Sequence, residues 1–319
     1  MKKTLSLVLA ALMVFALVLT GCGSTKVMTM GTGGTAGTYY SYGGTLSNQI
    51  KTSSGITVNV VSTDGSKANI LGIDEGNYQL ATVQSDVMAY AVAGERSFEE
   101  EGAIDSFRVI GGLYAEAVQL VTMDPDIKSV ADLEGKKVSI GAAGSGVYFN
   151  AVDVLGAAGL TEEDIIPQYQ SFADSADALK DGKIDAAFIV AGPPTPAIEE
   201  LFTSSSAYLV PIDGDIADKL MKDSPFYTVH TIKAGTYPKQ EDDVTTVTVK
   251  ATLIVSTSAS EDDVYNITKA IFDNVEAITS VNKKGEELSL ENATTGMTAP
   301  FHKGAAKYFA EKGIEVESK

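Results

Sequence analysis

The chain is short of the residues on which most site chemistry depends. It has a single cysteine, Cys22, so no intramolecular disulfide can form and no thiol pair can grip a metal. Its two histidines, His230 and His302, stand apart in sequence, which leaves a zinc site without ligands. No Gly-x-Ser-x-Gly turn is present to offer a nucleophile. Asp213-x-Asp215-x-x-Asp218 has acids at calcium-like intervals, but Gly214 is misplaced for such a loop and no closing glutamate follows in register. Acids favoured at a helix start explain that run better. Basic residues are scarce too, 24 Lys and Arg against 42 Asp and Glu for a formal charge of −18. Nucleic acid and anionic lipid surfaces are therefore excluded as partners, since both demand basic patches. Such acidity suits solubility outside the cell. These shortages predict no enzyme, no metal and no cofactor.

The N-terminus has its own logic. Met1-Lys2-Lys3 precedes an apolar run from Leu5 to Leu19, and Leu19-Thr20-Gly21-Cys22 follows. A basic start, a short apolar stretch and small residues make a secretory signal over 1–21, while the run falls short of the roughly 20 residues a bilayer span needs. An uncleaved anchor helix is the alternative. The tetrapeptide resembles the lipobox of bacterial lipoproteins, which implies cleavage before Cys22 and acylation of its thiol. Removing 1–21 takes two lysines and no acid, so the mature charge falls to −20. Residues 22–26 then read as a short lipid-anchored tether on the outer face of the cytoplasmic membrane.

Beyond the tether, 319 residues suffice for two domains or two lobes. Strand-like and helix-like segments alternate for most of the length, which predicts α/β layers with mainly parallel sheets. Lys26 to Met30 leads into the glycine-rich stretch Gly31 to Tyr42, after which Tyr39, Tyr42, Leu46 and Ile50 mark a helical stripe. Strands are expected near 57–61, 79–83, 107–113, 118–123, 137–140, 168–170, 186–190, 208–212 and 246–256. Helices are expected near 67–75, 87–92, 175–180 and 197–202, with one long helix through Val264, Ile267, Ile271, Val275 and Ile278 and a last one near 304–312. The run 96–105 lacks an apolar period and reads as a solvated loop. Residues 213–243 carry no clear pattern. Gly141 to Gly146 is a second glycine-rich strand-to-helix turn, so two similar lobes are expected.

Gly31-x-Gly33-x-x-Ala36 satisfies the dinucleotide-binding pattern in its alanine variant, but no acid follows at the distance a ribose grip requires. An exported dinucleotide enzyme therefore stays a remote alternative. Ligands of open α/β sheets bind beyond the carboxyl ends of strands, and five polar clusters fall there: Thr32 to Tyr39, Ser62 to Ser66, Gln84 to Asp86, Gly144 to Asn150 and Gly192. Singly, each is ordinary turn and cap chemistry. Together they could line one cleft.

Several of these motifs resemble the TAXI solute receptors of tripartite ATP-independent periplasmic (TRAP) transporters. They are GTGGTAGTYY from Gly31, Val83-Gln84-Ser85-Asp86, Tyr114-x-Glu116-x-Val118-Gln119-Leu120, Gly141-x-x-Gly144-Ser145-Gly146 and Ala197-Ile198-Glu199-Glu200. Pro225-Phe226-Tyr227, Gly235-Thr236-Tyr237-Pro238 and Ser289-Leu290-Glu291-Asn292-Ala293 complete the set, which runs from about Val27 to Gly313. The resemblance implies an α/β, two-lobed periplasmic-binding-protein-like fold of type II, each lobe a mainly parallel sheet flanked by helices, with the ligand in the interlobe cleft. On it, 27–117 and 240–319 form lobe I and 118–239 form lobe II, the second crossing falling between 213 and 249. It implies a monomer that hands a small carboxylate or amino acid, glutamate or a relative, to TRAP membrane permease subunits driven by an ion gradient. A receptor for an ATP-driven importer, or a sensor, is the alternative. None of the cleft loops holds an arginine, and Lys67 is the nearest base. A carboxylate would therefore rest on backbone N–H groups, on the hydroxyls of Thr32, Thr35, Ser85 and Ser145, and on helix N-termini. An ammonium group could reach Asp86 or Glu116, with Tyr39 and Tyr114 covering the carbon chain. The expected ligand-binding set is Thr32, Gly33, Gly34, Thr35, Tyr39, Ser62, Gln84, Ser85, Asp86, Tyr114, Glu116, Gly144, Ser145, Gly146, Asn150 and Gly192.

Overall fold

The computed structural model describes residues 26–319; the signal segment, Cys22 and the tether up to residue 25 lie outside the described residues. The chain opens with β1 (Val27–Gly31), α1 (Thr38–Ser54), β2 (Thr57–Val61), α2 (Ser66–Asp74), β3 (Leu80–Gln84) and α3 (Ser85–Ala93). Helix α1 buries Tyr42, Leu46 and Ile50, four residues apart and so on one face. It stops at Gly55, whose φ of 76° is easy only for glycine and returns its N–H to Lys51 O. Strand β1 pairs in parallel with both β2 and β3, the outcome of two short crossovers through α1 and α2.

β4 (Phe107–Thr122) follows as one strand, where the sequence suggests two separated at Tyr114 to Ala117. Buried Glu116 and Gln119 interrupt the apolar run and hide the continuity. β5 (Lys137–Ser139), α4 (Val147–Ala157), β6 (Ile166–Gln168), α5 (Phe172–Lys180), β7 (Ala186–Ala191), α6 (Pro196–Ser204) and β8 (Tyr208–Val210) come next. The stretch after Asp213 that reads without a pattern holds α7 (Gly214–Asp223) and β9 (Thr228–Ile232); Ile216, Ala217, Leu220 and Met221 do form an apolar stripe at helical spacing, but a short one set among charged residues. After β10 (Val244–Ser256) come α8 (Glu261–Phe272), α9 (Val275–Val281), α10 (Leu290–Thr294) and α11 (Lys303–Glu311). The long helix expected through Ile278 breaks between α8 and α9. Asp273 is drawn off by Tyr308, Lys269 and Lys312, and the Asn274 amide donates back to Ala270 O, local bonds that compete with the helix.

The strands run in the order β2-β1-β3-β10-β4-β7-β5-β6, with β8 also on β4 and β9 also on β10. Four pairings are parallel and five antiparallel, so the sheet is mixed, not mainly parallel. The two long strands cause this, since β4 and β10 run against each other and against most of their other neighbours. Residues 107–117 of β4 pair with β10, and 117–122 pair with β7. One apolar cluster draws on 28–114 and 251–309, and two others on 117–249.

Buried Asn69 ties the carboxyl ends of the first strands together. Its amide donates to Thr32 O at 2.6 Å and Thr82 O at 2.8 Å, and Thr63 Oγ1 donates to its Oδ1 at 2.7 Å. Asn69→Ala removes both donations, though Thr63 Oγ1 can still donate to Thr32 O at 2.9 Å, and we expect a loss of about 1–3 kcal/mol in chemical denaturation; a loss below about 0.5 kcal/mol would show that the tie is dispensable.

Candidate functional site

A partly open cavity lies where the carboxyl ends of strands from both lobes meet. On one side its wall is Gly33 and Gly34 after β1, Gly37 to Tyr39 at the start of α1, Thr63 to Ser66 before α2, and Gln84 at the end of β3. Facing them are Ala142 and Ser145 to Val147 before α4, Gln170 to Phe172 before α5, and Val190 and Ala191 at the end of β7. Glu116 of β4 forms the floor. Its volume is 80 Å³ open to water centres, against about 10–15 Å³ for one water, so it suits a small organic molecule rather than an ion.

The two sides touch directly. The N–H groups of Lys67 and Ala68 donate to Gly144 O at 3.1 and 3.3 Å, and Ala197 N–H donates to Ala36 O at 3.1 Å. Thr38 Oγ1 donates to Gly192 O at 2.8 Å. Further out, Arg96 makes a two-pronged pair with Asp153 at 2.7 and 3.2 Å, its guanidinium resting against the rings of Tyr90 and Phe149. The stretch 96–105 is thus not a featureless loop: Arg96 reaches the opposite side and Phe98 is fully buried.

Charge is supplied by backbone. Helices α1, α2, α4 and α5 all begin at the cavity wall, and the first three are preceded by Gly37, Gly65 and Gly146, none of which caps its helix with a side chain. Helix N-termini carry partial positive charge and unpaired N–H groups, so the starts of α1 and α4 favour an anion, whereas at α2 the Lys67 and Ala68 N–H groups are spent on Gly144 O. Among the described residues, no lysine, arginine or histidine lines the cavity. Lys67 turns away to Glu101 at 2.9 Å and lies over the Phe98 ring.

Acceptors balance those donors. The buried amide oxygens of Gln84 and Gln170, both wall residues, have no hydrogen-bond partner. Glu116 accepts from Tyr39 OH at 2.6 Å. Burial holds the Glu116 carboxyl well above the usual carboxylate range, opposed by the Tyr39 hydrogen bond and helped by nearby Asp86. A cationic group in the cavity would draw its proton off. Anion donors at the helix starts and donor-seeking oxygens on the same wall together match a zwitterion.

Of the residues expected from sequence, Gly33, Gly34, Tyr39, Gln84, Glu116, Ser145 and Gly146 line the cavity. The others stand behind its wall. Thr32 Oγ1 is spent on Val61 O, Ser85 Oγ accepts from Lys250 N–H, and the carbonyls of Gly144 and Gly192 close the two sides on each other. Thr35 and Ser62 border a neighbouring surface hollow with Ala173. Tyr114 packs edge-on against Tyr42, not over the cavity, and leaves no room for a side chain at Gly192. Asp86 and Asn150 are fully buried and bonded to each other at 2.9 Å. Of the other lining residues, Gly37, Thr38, Thr63 to Ser66 and Val147 fall inside the polar clusters read from sequence but outside the expected set, and Ala142, Gln170 to Phe172, Val190 and Ala191 were missed. Most follow or end a strand at its carboxyl edge, the signal that could have found them.

Two lobes joined by paired long strands, with a ligand-sized cavity between them, form the periplasmic-binding-protein fold. The structure is similar to that of the alkanesulfonate-binding protein SsuA from Xanthomonas axonopodis pv. citri bound to MOPS, with a TM-score of 0.51 and 16% identity over 91% of this chain and 92% of that one. It is similar to a protein from Bordetella bronchiseptica RB50, with a TM-score of 0.54 and 17% identity over 89% and 88% of the two chains. It is also similar to the ligand-binding component of an ABC-type import system from Staphylococcus aureus, with a TM-score of 0.51 and 8% identity over 83% and 80%. The sequence pattern of the NMT1-like family matches residues 30–313, and the chain belongs to that family.

Asp86 offers a test of this packing. Burial raises its carboxyl to about 6, against the Asn150 hydrogen bond and the start of α3, which lower it. Between about pH 4 and 6 the folded protein therefore keeps a proton that the unfolded chain has released. The group's contribution to stability is greatest below that window, falls as pH rises through it, and is constant above. Asp86→Asn removes the dependence, so the stability of the variant relative to the parent should rise by about 2–3 kcal/mol from pH 4 to 7. Urea denaturation at both pH values measures this, and a constant difference counts against it.

Proposed function

We propose that the protein is an extracytoplasmic solute receptor whose lobes close on a small amino acid with a carboxylate side chain, glutamate or a close relative, and release it to a membrane permease. The observation that carries this reading is the pairing of the glycine-capped starts of α1 and α4 with the Glu116 carboxyl oxygens around one cavity that, among the described residues, no basic side chain lines. The helix starts would take the carboxylate and the oxygens the ammonium group. Tyr39 and Phe172 would flank the carbon chain. No bond-breaking chemistry is assigned to the site, since neither histidine lines it and Ser145 Oγ donates to Ala142 O instead of meeting a base.

The permease is taken to be of the TRAP type on the motifs of the sequence, with lobe I as 27–117 and 240–319, lobe II as 118–239, and Cys22 lipidated at the membrane. The switch of apolar clusters between Tyr114 and Ala117, and again between Val249 and Ala251, supports crossings in β4 and β10. An ATP-driven importer is the second reading, favoured by the likeness to the Staphylococcus aureus import component. Deleting a neighbouring permease gene of either type and measuring uptake separates the two.

Calorimetry against glutamate, glutamine, 2-oxoglutarate, succinate and fumarate tests the ligand class. Amino acids should bind at least ~10-fold tighter than the keto acid and the dicarboxylates, about 1.4 kcal/mol, and no binding by any of the five would end the reading. Because burial shifts the Glu116 carboxyl toward its protonated form, an arriving ammonium group should favour release of a proton. Repeating the titration in buffers of different ionisation enthalpy should reveal up to one proton released, with affinity rising with pH. Gly34 lines the cavity, and a Cβ placed on it meets nothing within 4 Å. Gly34→Phe should thus abolish binding with little change in melting temperature; retained affinity would show that the ligand lies elsewhere.

A further inference from the structure

Glu116 lines the cavity floor, and its two carboxyl oxygens stand in different positions. Oε2 accepts from Tyr39 OH at 2.6 Å. Oε1 has no hydrogen-bond partner among the described residues, yet it is not sealed into the wall as the amide oxygens of Gln84 and Gln170 are. The surface that Glu116 keeps in the cavity is therefore open to a solute at this atom.

Tyr39 fixes the division. Its hydroxyl has one proton and, among the described residues, one acceptor, which is Glu116. Burial, and after it the Glu116 charge, hold the phenol well above its ordinary value, so it does not ionise. Tyr39 remains the donor whatever the state of the carboxyl, and Oε2 remains an acceptor. A proton on Glu116 must then sit on Oε1. The ionised carboxyl shows the cavity an acceptor, and the neutral one shows it a donor.

Other charges reach this carboxyl from several elements. Burial first, and then Asp86 of α3, favour its neutral form, while Tyr39 and Lys284, itself paired with Glu287 at 2.6 Å, favour the ionised one. Tyr114 lies two residues away on the same strand and stays neutral by burial. Val249, opposite on β10, brings no charge. Asp64, the other acid of the cavity wall, also borders the surface hollow beside Thr35.

We infer that Glu116, with its free oxygen fixed by Tyr39, sets the class of solute by its protonation state: ionised, it selects an ammonium group, and neutral, it selects a keto or carboxyl oxygen at the same point. This rests on the reading of the cavity as the ligand site. Glu116 determines specificity, and Tyr39 positions it. On binding an amino acid a neutral Glu116 gives its proton to solvent; on binding a keto acid an ionised Glu116 takes one up.

The experiment compares the dissociation constants of glutamate and 2-oxoglutarate, which share a carbon chain and differ by an ammonium against a keto oxygen, at pH 7 and pH 8.5. Both ligands keep their charge over that range, which lies above the value of about 6 to which burial raises Asp86. Because one ligand needs the ionised and the other the neutral carboxyl, the parent's ratio should move toward glutamate by at least ~10-fold, wherever Glu116 itself titrates. In Glu116→Gln, Tyr39 pins the amide oxygen and leaves the amino group toward the cavity. That variant should favour 2-oxoglutarate at both pH values, with a ratio independent of pH. Adding Tyr39→Phe frees the amide to turn, and the ratio should recover at least ~5-fold toward glutamate. A merely structural Tyr39 would weaken both ligands alike. A parent ratio that does not move with pH, a Glu116→Gln protein that still favours glutamate, or a double variant with the ratio of Glu116→Gln overturns the inference alone. Binding of neither ligand by the parent overturns the ligand reading, and the inference with it.

Discussion

Strands β4 and β10 hydrogen-bond from the pair Thr248 and Ala117 to the pair Ser256 and Phe107, and each continues into a second set of partners. The cavity geometry depends on this shared ladder. Glu116 pairs with Val249 one residue before β4 turns to β7, so the acid on the cavity floor sits where the two halves join. The lobes can move apart only by twisting these strands. Register shifts between Lys250 and Thr252, and between Leu253 and Ile254, are places where a paired ribbon can absorb such twist. At Ala115 the backbone N–H already leaves the sheet for Glu287 Oε2 at 2.7 Å, a local gap in the ladder beside the join.

A chain of net charge −18 that proposes to hold an acid faces an electrostatic conflict. Its only two arginines do not resolve it. Arg96 is committed to Asp153, and Arg108 is buried on Asp105 and on the carbonyls of Asp105 and Phe107. The helix starts offer a different solution, because peptide dipoles act over the first turn and need no counter-charge elsewhere. At long range the protein still repels anions, and salt weakens that repulsion. Attraction begins only inside the cavity, where the dielectric is low and the donors are already aimed.

The α/β character, the two glycine-rich turns and the helix α1 were legible because they rest on local patterns: spacing by four at Tyr42, Leu46 and Ile50, and glycines ahead of helix starts. The mixed direction of the sheet was not, since it follows from the long-range pairing of β4 with β10, which leaves no local mark. Half-site residues followed the same division. Gly33, Gly34, Ser145 and Gly146 were visible as turn chemistry. Gln170 to Phe172 were not, because β6 ends at Gln168, two residues before the end of the strand expected from sequence, and α5 starts at Phe172, three residues before the helix expected there. Asp86 and Asn150 were legible as polar residues in the right place but not as supports, because burial cannot be read from residue type.

The contacts that cross the cleft are of two kinds: backbone ones, Gly144 O with Lys67 and Ala68 and Ala36 O with Ala197, and side-chain ones, Thr38 with Gly192 O, Gln84 and Asp86 with Asn150, and Arg96 with Asp153. For a carrier this sets a trade-off between retention and delivery. Every contact that favours the closed form raises the closed fraction before any solute arrives, and apparent affinity scales with that fraction. The same contacts must break before the solute can leave, so they lengthen its residence equally. Backbone contacts cannot be removed by changing a side chain. Side-chain contacts can, and of these the pair of Arg96 and Asp153 lies outside the cavity lining, which makes it a point at which residence time could be adjusted without altering what the cavity recognises.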